Sequence, residues 1–441
     1  MKVHLLLLAL LATAFPSPQL APPNFEDQAR TVVLDLMARH FDKVTALFDE
    51  RMAAALPVDK LAKNWDAIIQ LSGEFKLIEN VRSEEKQGYQ VVYVTCAMEH
   101  RRQAVIVEFD TKGRIAQFNS ISADSIEPWI EPGYVTRYKF HEFGVEIGSS
   151  PWQLTGTLTV PHRPGQFPAV VLVHGSGPND QDESLGPNKM FKDLAWGLAS
   201  RGIVVLRYDK RTRVHGKEMM ALPGGFTVNE EVVDDARAAV AFLAKRSEVQ
   251  PKHIFVVGHS LGGMMAPRIA EGEQQIAGLI IMAGATRPLE DLLVEQVRYS
   301  VGLSGKITPE GEKQIAQAEK SAADMRNPDL KPGMTVDFIG AILPASYVLD
   351  LRGYHAAETA SRLKLPMLIM QGDRDYQVRP ADLNGWKQAL EKKSTVTFKT
   401  YPALNHLFMP GAGPSSDAEY LKPNHVPEAV VEDIAGWIVK H

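Results

Sequence analysis

From Phe167 onward, short apolar runs alternate with amphipathic helical stretches, and this rhythm limits the chain to few architectures. FPAVVLVHG is nearly all apolar, the texture of a strand buried on both faces. FKDLAWGLASR follows as a helix ended by Gly202, then the strand GIVVLRYD. EEVVDDARAAVAFLAKR sets Val233, Ala236, Val240 and Leu243 along one helical face ahead of the strand HIFVVG. A helix beginning at Ser260, the strand AGLIIMAG, the strand LPMLIMQGD, the helix ADLNGWKQALEK, the strand TVTFKTYP and the helix PEAVVEDIAGWIVK complete the series. Such alternation specifies an α/β fold, a mostly parallel central sheet with helices on both faces. YKFHEFGVEIG and WQLTGTLTVP read as an antiparallel pair leading into it.

One region, about 285–363, breaks the rhythm. It shows no convincing strand, carries Thr308-Pro309-Glu310 as a helix N-cap with proline at the first position, and is too long for a loop. We read it as a helical insertion, placed where a lid over a site could sit; the alternative is an excursion packed on the sheet edge.

Residues 25–123 form a separate small α+β domain in this reading. QARTVVLDLMARHFDKVTALF repeats its apolar residues at three- and four-residue steps, whereas YQVVYVTCAM and RQAVIVEFD are β-rich, the latter turning at Asp110–Gly113. DSIEPWIEPG, residues 124–133, with two prolines and a glycine, reads as a linker to the domain over 134–441. At the start, Lys2 precedes VHLLLLALLATAF, an apolar stretch too short to span a membrane, with Ala12 and Ala14 placed as a cleavage site. Residues 1–14 are therefore expected to be a secretory signal peptide and the protein periplasmic or secreted. The single cysteine, Cys96, permits no intramolecular disulfide, and none follows the apolar run to accept a lipid. A net charge of −5 argues against a nucleic-acid or anionic-membrane partner, leaving a small molecule as the expected ligand. Oligomeric state is not readable.

Within HIFVVGHSLGGMMA, Ser260 sits between Gly258 and Gly262, after a buried strand and before a helix-compatible segment. Serine becomes a nucleophile only when a base removes its proton and a third group holds that base. On a tight strand-to-helix turn, glycines are needed where backbones crowd. In the α/β-hydrolase order a Ser is followed by Asp or Glu and then His. The acid lies in QGDRDYQV, where Asp373 and Asp375 both qualify; Asp375 is preferred because G-x-x-D is usual after this strand, Asp373 suiting a solvated turn. The base is His406 in YPALNHLF, rather than His425 in a proline-bounded lead-in or His355 in the insertion. An oxyanion hole needs the amide after the nucleophile, Leu261, and one from the loop after an earlier strand; His174-Gly-Ser-Gly177 supplies it, with Ser176 the expected donor and His174 a brace. Lys210 and Arg211 could meet an anionic group, but ion pairing at the sheet edge is the simpler role. No H-E-x-x-H or Cys/His cluster and no G-x-G-x-x-G after a strand is present, so no metal or cofactor is expected.

From about residue 134 to its end the sequence resembles bacterial α/β-hydrolase serine esterases of the acyl-peptidase and dienelactone-hydrolase-like branch, on HGSGPNDQDESLGPNKMFKDLAWGLASRGIVVLRYDKR, GHSLGG, QGDRDYQV and NHLF in that order. The resemblance implies ester hydrolysis by Ser260, Asp375 and His406 without cofactor. The first hundred residues resemble a small domain of unknown function found ahead of some such hydrolases. The insertion, and Thr212 where a glycine often follows Lys-Arg, depart from the pattern without touching the triad. An acyl-peptidase or thioesterase would use the same residues, and a non-catalytic binding protein on a hydrolase scaffold is the competing class. The expected substrate is a small-molecule ester.

Overall fold

The computed structural model describes residues 24–86 and 88–441; the signal-peptide segment 1–14 lies outside them. The chain divides into two compact units, one up to Ala123 and one from Asp124.

In the first unit, helices α1 (Phe25–Met37), α2 (Phe41–Thr45), α3 (Glu50–Ala55) and α4 (Val58–Ser72) precede an antiparallel sheet. Its strands β1 (Phe75–Lys86), β2 (Tyr89–Met98), β3 (Arg102–Phe109) and β4 (Ile115–Ser122) pair in sequence order. Val32, Val33 and Leu36, one stripe of α1, share a core with Val92, Val94, Val105 and Val107 of the sheet. Cys96 lies in that core as a free thiol, and burial pushes its pKa up to about 12.

The second unit holds an eight-stranded sheet. β5 (Phe140–Ile147) and β6 (Leu154–Pro161) are its antiparallel edge; β7 (Phe167–Val173) follows. The short ribbon β8 (Ser184–Leu185) and β9 (Asn188–Lys189) leads to helix α5 (Met190–Ala199) and strand β10 (Val204–Tyr208). Small helices α6 (Arg211–Val214) and α7 (Gly216–Met220) precede α8 (Asp234–Leu243) and β11 (Val249–His259), then α9 (Leu261–Ala270) and β12 (Ile276–Met282). After the insertion come β15 (Met367–Gly372), α14 (Pro380–Leu390), β16 (Val396–Tyr401) and α15 (Glu428–Lys440). The strand order is β16-β15-β12-β11-β7-β10-β6-β5, parallel from β16 through β10. Central strands β7 and β12 bury nearly every residue, as does β11 from Ile254 onward, because helices cover both faces.

Two readings need correction. The insertion is not helical throughout: between α10 (Leu289–Gly302), α11 (Pro309–Arg326) and α12 (Ala345–Arg352), α13 (Ala356–Arg362), it forms an antiparallel hairpin, β13 (Thr335–Phe338) with β14 (Ala341–Pro344). Its turn puts Ile339 (φ 48°) and Gly340 (φ 82°) in the left-handed region, as a two-residue hairpin turn requires. Residues 124–133 are also no free linker. Trp129 donates its indole N–H to Asp193 of α5 at 2.8 Å and packs edge-on to Trp196 at 5.0 Å, so this segment belongs to the second unit. Proline marks it as irregular but does not keep an amphipathic tryptophan off the surface.

Candidate active site

A parallel sheet carries the C-terminal ends of its strands to one edge, and the loops there meet. The turn after β7 carries His174–Gly177, β11 ends at His259 before Ser260, β15 leads into Asp375, and β16 into His406.

Ser260 caps α9 with φ 53° and ψ −115°, a conformation that costs a non-glycine residue of order 1–3 kcal/mol and persists only where surroundings enforce it. The enforcement is visible. Its amide donates to the Met282 carbonyl at 2.9 Å, while a Cβ on Gly258 would lie 2.2 Å from the Gly262 oxygen, and one on Gly262 2.2 Å from the Val173 oxygen. Only glycines let β11, α9 and β7 close this tightly.

Asp375 is buried, its side chain fully. One carboxylate oxygen accepts from the amides of Gln377 and Val378 at 2.8 and 2.9 Å; the other accepts from Gln371 Nε2 at 3.1 Å and pairs with His406 Nδ1 at 2.8 Å. Asp373 is exposed and does not join this cluster. With Nδ1 engaged, His406 Nε2 has no hydrogen-bond partner among the described residues. His425 instead pairs with buried Asp193, and His355 is exposed at the N-cap of α13.

The turn after β7 comes against Ser260: a Cβ on Gly175 would lie 3.1 Å from the Ser260 Cβ. The Gly175 amide is committed to Glu183 Oε1 at 2.6 Å, whereas the Ser176 amide has no partner among the described residues. The Leu261 amide is the first of α9, one of the N-terminal amides that have no partner within the helix. His174 is wholly buried between Phe191 and Tyr208, and desolvation holds its pKa down to about 4, so it is a neutral brace. Lys210 donates to the Gly175 carbonyl at 2.7 Å and pairs with Glu231 at 2.8 Å; Arg211 grips Asp235 through two nitrogens. Both cations are buried in pairs rather than turned to a ligand.

Two residues that sequence reasoning missed knit this site together. His259, just before Ser260, contacts the His406 carbonyl through Nε2 at 3.0 Å and lies with Nδ1 3.1 Å from Glu183 Oε1. Both neighbours are oxygen acceptors; Nδ1 is not aligned for a hydrogen bond to the carboxylate, but at this distance it forms an ion pair with Glu183 once the ring is protonated. Burial lowers its affinity for a proton, and the charge of Glu183 outweighs that, leaving the pKa raised. Glu183, whose own backbone is left-handed (φ 49°), therefore links the Gly175 amide to His259, and through His259 to the loop of His406. The signal was the histidine inside G-H-S-L-G; nothing local marked the glutamate.

Among the described residues no cluster of His, Cys, Asp and Glu is placed to hold a metal, and no helix is long and apolar enough to cross a membrane.

A family model described as "Serine aminopeptidase, S33" matches residues 168–410, and one described as "Protein of unknown function (DUF3887)" matches residues 29–118. The chain is similar to Esterase EstD of Thermotoga maritima, 36% identical over 418 residues, covering 94% of this chain and 96% of that one. Among solved structures, Est1E from Butyrivibrio proteoclasticus has 19% identity over 67% of this chain and 98% of its own, with a TM-score of 0.44. A Pyrococcus furiosus esterase has 16% identity over 71% and 97%, also with a TM-score of 0.44.

Proposed function

Because the chain belongs to the α/β-hydrolase family described as serine aminopeptidase S33, we propose that it hydrolyses carboxylic esters through Ser260, Asp375 and His406. The observation that carries this reading is the buried Asp375–His406 pair, whose loop is tied to His259, the residue adjoining a strained Ser260. The name of the Thermotoga relative supports ester over amide substrates.

In this reading Ser260 Oγ attacks the ester carbonyl and His406 Nε2 takes its proton. Asp375 fixes the tautomer and faces the imidazolium that forms. The amides of Leu261 and Ser176 receive the developing oxyanion, Gly175 being excluded by its bond to Glu183. His406 then gives the proton to the departing alcohol, breaking the C–O bond and leaving the acyl group on Ser260. Water, deprotonated by the same histidine, releases the acid. Residues 1–14, read as a signal peptide, add export to the proposal; N-terminal sequencing of the mature protein tests it.

Ser260→Ala is expected to lower p-nitrophenyl acetate hydrolysis by about 10⁴-fold or more. A fluorophosphonate should label the parent protein and not the variant. Hydrolysis at the parent rate by Ser260→Ala would end this reading, and p-nitroanilide counterparts run beside the esters distinguish a peptidase.

A further inference from the structure

A cavity of about 570 Å³ opens beside Ser176, Gly177 and Pro178. Its walls are apolar: Met220 and Phe226 before α8, Leu289 at the start of α10, Phe338 and Ile342 from the β13–β14 hairpin, and Tyr347 of α12. The hairpin end and the segment before α8 are fastened together. Ser346 donates to the Phe226 carbonyl at 2.8 Å, and a Cβ on Gly225 would collide with Pro344 at 2.5 Å. The one charged group in the lining, Glu231, is paired with Lys210 at 2.8 Å, and among the described residues the lining includes no Lys, Arg or His. A carboxylate entering here would find no cation.

The cavity's place decides which half of an ester it takes. His406 must reach the leaving oxygen, so the alcohol lies on the side of the loop after β16. The cavity draws no residue from that loop or from the one bearing Asp375. It begins instead at the turn adjoining Ser260, the turn that carries the proposed oxyanion donor Ser176 and lies apart from the His406 loop. Its size falls within the range usual for small-molecule sites.

We propose that this cavity is the acyl subsite, that it selects neutral acyl chains longer than acetyl, and that the β13–β14 hairpin is its specificity-determining wall. The inference rests on ester hydrolysis at Ser260. Each methylene buried in an apolar pocket improves kcat/KM by about fourfold, so butyrate should exceed acetate by roughly fifteenfold.

The test is kcat/KM for p-nitrophenyl acetate, butyrate and octanoate, and for the mono-p-nitrophenyl ester of a dicarboxylic acid of butyrate-like length. These are run on the full chain, on Ala341→Trp, which fills the cavity, on Ile342→Ser, and on Val439→Ser of α15, an exposed position outside the lining. Expected are a butyrate-to-acetate ratio near fifteen, poor use of the carboxylated ester, a ratio driven toward one in Ala341→Trp, a smaller fall in Ile342→Ser, and the parent ratio in Val439→Ser. Equal rates for all chain lengths, equal use of the charged ester, or an unaltered ratio in both hairpin variants overturns the proposal. Should Ala341→Trp fail to fold, Ile342→Ser decides alone. If acetate is hydrolysed in a Ser260-dependent way but these ratios are flat, only the subsite is refuted. If Ser260→Ala matches the parent on every ester, the proposed function falls and the subsite with it.

Discussion

Replacing Glu183 with glutamine should destabilise the second unit in a pH-dependent way that reports the charge of His259. The carboxylate accepts the Gly175 amide at 2.6 Å and lies 3.1 Å from His259 Nδ1, with the two side chains only 7% and 2% exposed. Breaking a buried pair by removing one partner costs about 3–5 kcal/mol where the survivor must stay charged. Here His259 can release its proton, and glutamine keeps an acceptor for Gly175, which brings the expected loss to about 3 kcal/mol. At roughly 2 °C per kcal/mol for a unit of this size, Tm falls by roughly 6 °C. The pH window follows from the two shifts. His259 is raised, because Glu183 overcomes the burial that lowers it, so its contribution is full below about 6.5 and is lost as pH climbs through the higher folded value. Glu183 is lowered, His259 overcoming burial, so its contribution is full above about 4.5 and is lost as pH falls through the lower folded value. The gap between parent and Glu183→Gln should therefore be widest near pH 6 and shrink by pH 9.5, as measured by calorimetry at both. An identical gap at the two pH values would refute the imidazolium–carboxylate pairing.

Three further outcomes follow from the geometry. Ser260→Gly should melt higher than Ser260→Ala by about 1–2 kcal/mol in denaturant titration, since glycine relieves the φ 53° strain; equal stabilities would mean no strain is stored there. Gly262→Ala drives a Cβ to 2.2 Å from the Val173 oxygen, and a loss of about 3 kcal/mol or more, with fluorophosphonate labelling of Ser260 abolished, is expected. Trp129→Ala should cost about 2 kcal/mol in the unfolding of the second unit, through the lost indole bond to Asp193 and the edge contact with Trp196; an unchanged midpoint would restore residues 124–133 to a mere tether.

The sheet was legible because buried parallel strands write long apolar runs, and FPAVVLV, HIFVVG and LPMLIM have few other uses. The elbow was legible because crowding admits only glycine at 258 and 262. The hairpin over 335–344 escaped notice for a physical reason. Its strands span four residues each, and the first turn position is Ile339, a β-branched residue that local preference keeps out of the left-handed region. Strand β1 hid because it lies at the edge of its sheet with most side chains in water, so FKLIENVRSEEK shows little alternation. Asp375 could be separated from Asp373 only by preference in sequence, whereas burial and four hydrogen bonds separate them in space. Glu183 was invisible because its partners, Gly175 and His259, lie on either side of it in the chain and meet it only after the sheet has formed.

That dependence on a finished sheet reaches beyond Glu183. Ser176, Ser260, Asp375 and His406 follow β7, β11, β15 and β16, and no two of them are held together by local structure alone. Their meeting waits on pairings distant in sequence, which close slowly compared with helices. A chain stalled before β16 docks would hold most of its helices and most of its core, yet lack the His406 loop that the proposed mechanism requires. If the proposed triad holds, a molecule without a docked β16 is inert toward esters rather than a weaker version of itself.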